Sequence, residues 1–438
     1  MEDVLAARLQ MALSLGFHII FACIGMVMPF FMAASHLFWI KTGNDVYKNL
    51  TKAWSKGVAI FFATGAVSGT VLSFELGLLW PTFMKHAGPI FGMPFSLEGT
   101  AFFIEAIALG FFLYGWNIFN KWFHWFTGVV VGISGLASGI LVVSANAWMN
   151  SPAGFDYVNG EYLNVDPIAA MFNDAWVSQS IHMTLAAFAA TGFAVAGVHA
   201  AMIYQQKNVR FHMKAFRIAA VFASVASLLQ PLSGDHSAKD VAVRQPAKLA
   251  AMEAHFHTER GADLIIGGIP NVEEQNVSHA IRLPGMLSWL AFGNSQAEVK
   301  GLNDIPADFH PPVAIVHYAF QVMVGIGGLL ALISLLLLVA LKKSHWLTKK
   351  WLLLLFALAT PLGFVAVEAG WTVTEVGRQP WIIYGVMKTA EAVTPMPGIA
   401  WSLYLFTAVY LSLTFVVVYL LHRQIKAVPL IYDKQTEI

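Results

Sequence analysis

The sequence predicts an all-α polytopic membrane protein with about nine transmembrane helices, and three observations predict it. Of 438 residues, 57% are hydrophobic and only 12% charged, with a mean hydropathy of +0.64. A soluble domain carries about 25% charged residues. Apolar windows of the roughly 20 residues that cross a bilayer lie near 11–35, 57–80, 97–116, 124–148, 179–203, 215–232, 313–340, 351–370 and 399–421. None of them alternates with the period of two expected of a membrane barrel.

The first window follows Arg8 and is too long for a signal-peptide core, with no small-residue cleavage pattern behind it, so it reads as a retained span. It holds Cys23, the one cysteine, which excludes an intrachain disulfide and any cysteine-ligated cluster within the chain. The 15 histidines are therefore the main candidate metal ligands. One set of links is short: 36–56, 117–123, 204–214, 341–350 and the tail 422–438. Together with Arg217 these hold 16 of the 26 basic residues. The positive-inside rule places that set in the cytoplasm, the N-terminus outside and the C-terminus inside. A net charge of +1 offers nothing to nucleic acid.

The chain then divides into 1–232 with six spans, a large external loop 233–312, and 313–438 with three spans. The loop is too polar to span and too long for a connector. Within it, Gln245–Ala254 reads as a helix with Pro246 in its first turn. No repeat period and no inverted halves are visible, which weakens a transporter reading.

Ionisable groups inside spans usually mark a cofactor, ion or substrate path. His18 lies roughly 10 Å into the first span at 1.5 Å per residue, and His182 lies within a turn of the external end of the fifth. Glu375 falls just past the external end of the eighth, in Trp371-Thr372-Val373-Thr374-Glu375-Val376-Gly377-Arg378-Gln379-Pro380-Trp381. A single buried histidine is more often structural. Two at similar depth on different spans, in apolar shells, are what a heme needs. No Cys-x-x-Cys-His occurs, so no heme is attached through that motif. Met323 carries no signal alone, because Met is a common gap-filler. Gly325 and Gly327 beside it suit either a flat ring or close helix packing. Glu98 and Glu105 in the third span are two helical turns apart and share a face. They form either a proton relay or structural hydrogen bonds to a neighbouring helix, and Glu75 in the second span is similar.

These runs resemble subunit I of the cytochrome bd-type quinol oxidases. Arg8-Leu9-Gln10 ahead of His18, Phe91-Gly92-Met93-Pro94 with Glu98-Gly99 and Ala101-Phe102-Phe103-Ile104-Glu105, Ala145-Asn146-Ala147-Trp148-Met149, His182-Met183, Gln245-Pro246 with Lys248 and Glu253, and Gly377-Arg378-Gln379-Pro380-Trp381 carry the resemblance. It implies a terminal oxidase that oxidises ubiquinol or menaquinol on the outer side and reduces O2 to water, building proton motive force without pumping. It implies a low-spin heme b on His182 and Met323, and a high-spin pair on His18 and Glu375, one a heme b and the other a heme d or a further heme b. Arg8, Arg378 and Trp371 would serve the hemes. Lys248 and Glu253 would serve quinol oxidation, flanking one ring, and Glu98 and Glu105 the proton path. The expected partners are subunit II, a small single-span subunit and membrane lipid, in a bacterial inner membrane.

Three departures stand out. Gln321 occupies the place, two before the methionine, where many members have arginine, which bears on the redox potential. Glu98 and Glu105 are seven apart, whereas some members have eight. The loop 233–312 is of the short type, as in the cyanide-insensitive-like branch. Two rival readings remain at this point: a proton-coupled transporter, and a heme b anchor that passes electrons on without oxygen chemistry.

Overall fold

A computed structural model describes residues 3–158 and 160–432, so both chain termini, whose sides the charge pattern assigns, lie outside the described residues. Within it are nine helices long and apolar enough to cross a membrane: Asp3–Thr42, Asp45–Leu79, Pro81–Tyr114, Lys121–Asn150, Trp176–Tyr204, Val209–Arg244, Ala307–Lys342, Lys350–Val376 and Ile399–Lys426. They are named below by order, first span to ninth. Their starts follow simple chemistry. Asn44 and Asn120 cap the second and fourth spans by accepting from the N–H groups of Val46 and Phe123, and Pro81 opens the third, where its missing N–H costs nothing.

Several helices outrun their apolar windows. The third starts at Pro81 rather than near 97 and carries Pro89 and Pro94 inside it, which a membrane helix tolerates when neighbours satisfy the freed groups. The sixth does not stop at 232; it continues through Pro231 to Arg244. Its polar end is held by pairs at i,i+4: Lys239 to Asp235 at 2.6 Å and Arg244 to Asp240 at 3.6 Å. The external segment therefore begins near Gln245, twelve residues later than expected from composition. The eighth span breaks at Thr360–Pro361 and resumes as Leu362–Val376, so Glu375 sits in its last helical turn and not beyond it.

The external segment folds on itself. The expected helix is there as Pro246–Glu253. A hairpin pairs Leu264–Asn271 with Asn276–Leu283, an element absent from the helical expectation. Three further two-stranded pairs are short.

The core lies where the first, fifth, sixth and eighth spans meet, around Phe31, Phe193, Phe216 and Phe356. Small residues set the helix spacing. A methyl group on Gly363 would lie 2.4 Å from the Cα of Ala190, and one on Gly192 would lie 2.8 Å from the Cα of Ala223. Lipid tails provide no hydrophobic drive between helices, so close backbone packing carries the association. Gly363→Val should therefore push the eighth span off the fifth. The expected cost is about 1–3 kcal/mol of overpacking, read as a lower thermal unfolding midpoint of the purified protein in detergent.

Candidate functional site

The two candidate histidines are set up in the same way by different helices. His18 Nδ1 lies 2.9 Å from Ser68 Oγ on the second span. Ser68 Oγ donates to the Thr64 carbonyl at 2.9 Å. Its lone pairs are then left to accept from Nδ1–H, and Nε2 keeps a free lone pair. His182 Nδ1 lies 3.0 Å from Ser233 Oγ on the sixth span, and Ser233 donates to the Gln230 carbonyl at 3.1 Å. For His18 the network sets the tautomer that a metal ligand needs; at His182 the Gln230 amide also lies 3.3 Å from Nδ1 and 3.2 Å from Nε2, so a metal at Nε2 would displace it. Ser68 and Ser233 were not singled out from sequence. Their signal, a serine on the next helix at matching depth, has no sequence spacing to reveal it. Ser233 also sits beyond the point where the sixth window ends.

Met323 on the seventh span meets Gly370 of the eighth: a methyl there would lie 3.0 Å from its sulfur. Gly325, Gly327 and Gly328 have open space on their Cβ side. The spans bearing His182 and Met323 both pack on the sixth and the eighth. The donor set of imidazole nitrogen, thioether and carboxylate, with open glycine faces nearby, fits hemes. Trp371 packs against the main core, and its buried Nε1 has no partner among the described residues. Arg8 is half-buried and forms no ion pair among the described residues.

Glu375 is the hub of a buried polar chain. Arg378, 2% exposed, donates from one terminal nitrogen to Glu375 Oε2 at 2.5 Å, and its other terminal nitrogen has no partner among the described residues. Asn146 Nδ2 donates to Glu375 Oε1. Asn150, one turn further along the fourth span, donates to Asn146 Oδ1 at 3.1 Å. Lys248 Nζ then donates to Asn150 Oδ1 at 2.7 Å, and Gln245 Nε2 to the Asn150 carbonyl at 2.8 Å. One continuous network thus joins the external helix to the eighth span. Burial pulls the Lys248 ammonium down to about 7, with the Arg378 guanidinium pushing the same way and the Glu375 carboxylate opposing.

Beside it is a partly open cleft of about 200 Å³, lined by Lys248, Phe309, Arg378, Trp381 and Tyr384 among others. Phe309 and Trp381 have ring centroids 5.2 Å apart, and Lys388 lies over both.

Glu253 is not at this cleft. Five residues along a helix turn the side chain by about 140° at 3.6 residues per turn, so Lys248 and Glu253 leave the external helix in different directions and do not flank one ring. Glu253 is 3% exposed and accepts from the backbone of Ile265 in the hairpin. Burial raises its carboxyl to about 8, with that hydrogen bond opposing. The same strand is held by Gln321, which accepts from Gly267 N–H and donates to the Ile265 carbonyl, both at 2.9 Å. A carboxamide offers an acceptor and a donor together; a guanidinium offers donors alone. Gln321 is therefore a loop clamp here.

In the third span, Glu98 and Glu105 both face the fourth. Ser138 donates to Glu98 Oε1 at 2.8 Å, and Glu105 lies against Gly135, where a methyl would sit 3.4 Å from either carboxylate oxygen. Glu105 is 6% exposed and has no hydrogen-bond partner among the described residues. Glu75 is tied to Gln10 at 2.9 Å, a structural hydrogen bond. Sequence reading missed Glu368, seven residues before Glu375 in the eighth span. It approaches the first span at Gly16, and its Oε1 is buried without a partner. The same two-turn spacing that marked Glu98 and Glu105 would have found it.

The family model described as cytochrome bd terminal oxidase subunit I matches residues 6–429. A Bacillus subtilis (strain 168) protein named as a cytochrome bd menaquinol oxidase subunit I is 37% identical, covering 100% of this chain and 99% of its own. The cytochrome bd ubiquinol oxidase subunit 1 of the same organism is 30% identical, covering 97% and 94%. The bd oxidase structure from Geobacillus thermodenitrificans superposes with a TM-score of 0.92 at 38% identity, over 97% of this chain and 99% of that one.

The clamp gives a direct test. Gln321→Leu removes the side-chain partner of the exposed Gly267 N–H and of the Ile265 carbonyl, a loss of about 0.5–1.5 kcal/mol per hydrogen bond. Hydrogen exchange at residues 264–271 should speed up by about tenfold or more, while exchange in the spans stays unchanged.

Proposed function

The chain belongs to the cytochrome bd terminal oxidase subunit I family, a heme-containing, multi-pass component of the bacterial inner membrane that works with a subunit II, and we propose that it oxidises quinol at the external cleft and reduces O2 to water. The observation that carries this reading is the buried chain Lys248–Asn150–Asn146–Glu375–Arg378, which joins the cleft to the carboxylate expected to hold a heme. In this reading His182 and Met323 would hold a low-spin heme b, and His18 and Glu375 would hold the high-spin pair, one a heme b and the other a heme d or a further heme b. When bound, the hemes supply electron storage and the oxygen chemistry. Everything else falls to the protein's own groups.

Phe309 and Trp381 offer apolar faces to a quinol ring. Lys248, held near neutral charge balance by burial, donates a hydrogen bond to a quinone oxygen, with Asn150 fixing its direction. Glu253 does not touch the ring; buried against the hairpin, it would receive a quinol proton only by relay through that segment. Arg378 has one free terminal nitrogen for a heme propionate, and its other holds Glu375 in place. Ser68 and Ser233 orient the two imidazoles. On the far side, Glu105 and then Glu98 pass protons from the cytoplasm toward Glu375. With the orientation that the positive-inside rule favours, quinol protons would leave outside and consumed protons come from inside, and turnover would be electrogenic with no pump. Neither a transporter nor an electron-passing anchor accounts for an external aromatic cleft wired to a carboxylate ligand.

Four outcomes test the reading. His182→Ala should abolish the low-spin absorption band. Ser233→Ala should weaken heme retention by about 10- to 100-fold, as loss of a metal ligand's hydrogen-bond partner does. A normal low-spin spectrum in both His182→Ala and Met323→Leu would remove these ligands from the assignment. Glu105→Gln, with full heme content, should slow oxygen reduction far more than Glu105→Asp, because Gln keeps the shape and cannot carry a proton. Undiminished turnover in Glu105→Gln would make the acid structural.

The fourth outcome is a pH dependence. A carboxyl raised to about 8 accepts protons only when ionised. Quinol oxidation should therefore climb as pH rises through that value, and Glu253→Gln should flatten the climb while leaving the heme spectra intact.

A further inference from the structure

At the opposite membrane face, three lysines converge with no ion-paired acid among the described residues. Lys48, Lys52 and Lys56 recur every four residues at the start of the second span. Like charges at that spacing destabilise a helix, and the charges Lys52 feels most are those of Lys48 and Lys56. Lys121 is the first residue of the fourth span. Lysines near a helix start oppose the macrodipole, whose positive end favours anions. Yet Lys48 and Lys121 stand at two such starts.

Two indole rings gather these groups. Lys48 Nζ and Lys121 Nζ lie 5.0 Å and 4.9 Å from the Trp39 ring centroid. Lys52 Nζ lies 5.0 Å from that of Trp116, and the two rings are 6.0 Å apart. Beneath them His36 is fully buried, 5.4 Å from each ring, and neither of its ring nitrogens has a partner. Among the described residues no ion pair involves Lys48, Lys52 or Lys121. Asp45, at the helix start, is exposed and forms none.

We propose that Lys48, Lys52 and Lys121, over the Trp39–Trp116 platform, bind the headgroup phosphate of an anionic phospholipid. The cations and helix starts call for an anion, and phosphate chemistry could come from a lipid or from free phosphate. The flank decides for lipid. Tyr114, Ile118 and Trp122, on the same link, are 82%, 74% and 55% exposed. Tryptophan and tyrosine at this level suit the membrane boundary, and acyl chains cover such a flank where free phosphate leaves it bare. Basic pockets between spans on the lysine-rich side are where acidic headgroups bind. This inference does not rest on the oxidase chemistry and holds or fails separately from it.

The test uses the intact oxidase complex, purified in mild detergent from bacterial membranes. Retained lipid is identified by mass spectrometry, and thermal stabilisation is measured with phosphatidylglycerol, with phosphatidylcholine and with inorganic phosphate. The wild type should retain phosphatidylglycerol and be stabilised by it alone. The Lys48→Gln/Lys52→Gln/Lys121→Gln variant should lose both effects with heme spectra unchanged. Lys121→Gln alone should weaken phosphatidylglycerol binding roughly fivefold at low salt, and it serves if the triple variant does not assemble. Wild-type lipid retention in either variant overturns the proposal. Equal stabilisation of the wild type by phosphatidylcholine or by inorganic phosphate also overturns it, the first against charge and the second against lipid.

Discussion

A polar group placed in hydrocarbon must find its partner inside the protein, because no water is there to serve it. The chain from Lys248 to Arg378 is built on that constraint. Each member satisfies the next: an ammonium on a carboxamide, that carboxamide on a second, the second on a carboxylate, and the carboxylate on a guanidinium. The external helix, the fourth span and the last turn of the eighth span are locked together by it. Break any link and a buried charged or amide group is left alone, which costs more than the bond itself contributes. The placing of the cleft, the aim of Glu375 and the position of the external helix all follow from this one network.

Packing supplies the frame on which that network hangs. The fifth, sixth and eighth spans touch through Gly192, Gly363 and alanines, with backbones nearly in contact. Such contacts leave little room for sliding, so the side chains they carry hold fixed depths. The His182–Ser233 pair, on the fifth and sixth spans, sits on this frame. Ser68 and Ser233 each satisfy their own helix first and spend the remaining lone pairs on an imidazole of the neighbouring one. Rigid helices and preset tautomers are what ligands of a large, flat cofactor require.

The external segment follows a different logic. Its helix is buried on nearly every side, and its hairpin is pinned to the seventh span by Gln321 and to the external helix by Glu253. Lys248 and Glu253, close in sequence, belong to different neighbourhoods: one faces the cleft and Glu375, the other faces the hairpin. That division ties the position of the external helix to that of the hairpin. Gln321, two residues before Met323, extends it to the seventh span.

The nine spans, their order and the face shared by Glu98 and Glu105 were legible in the sequence, because apolar length and helical period are local properties. His18, His182 and Glu375 stood out for the same reason: ionisable groups are rare in hydrocarbon, so each is conspicuous without any knowledge of its neighbours. The motif around Arg378 was legible through resemblance. Helix ends were less so. The polar residues after 232 read as a loop, yet ion pairs four apart carry the sixth span on to Arg244. What only the tertiary structure decided is which groups meet. Asn150 gave no signal because an asparagine at a helix end usually caps it, and here it carries the link from Lys248 to Glu375. The serines behind the histidines, the task of Gln321, the separation of Glu253 from the cleft and the lysine–tryptophan platform all depend on contacts between helices distant in the chain. Sequence period fixes the direction of a side chain from its own axis; the neighbour it meets depends on how the axes pack, and small residues scattered over several spans set that jointly.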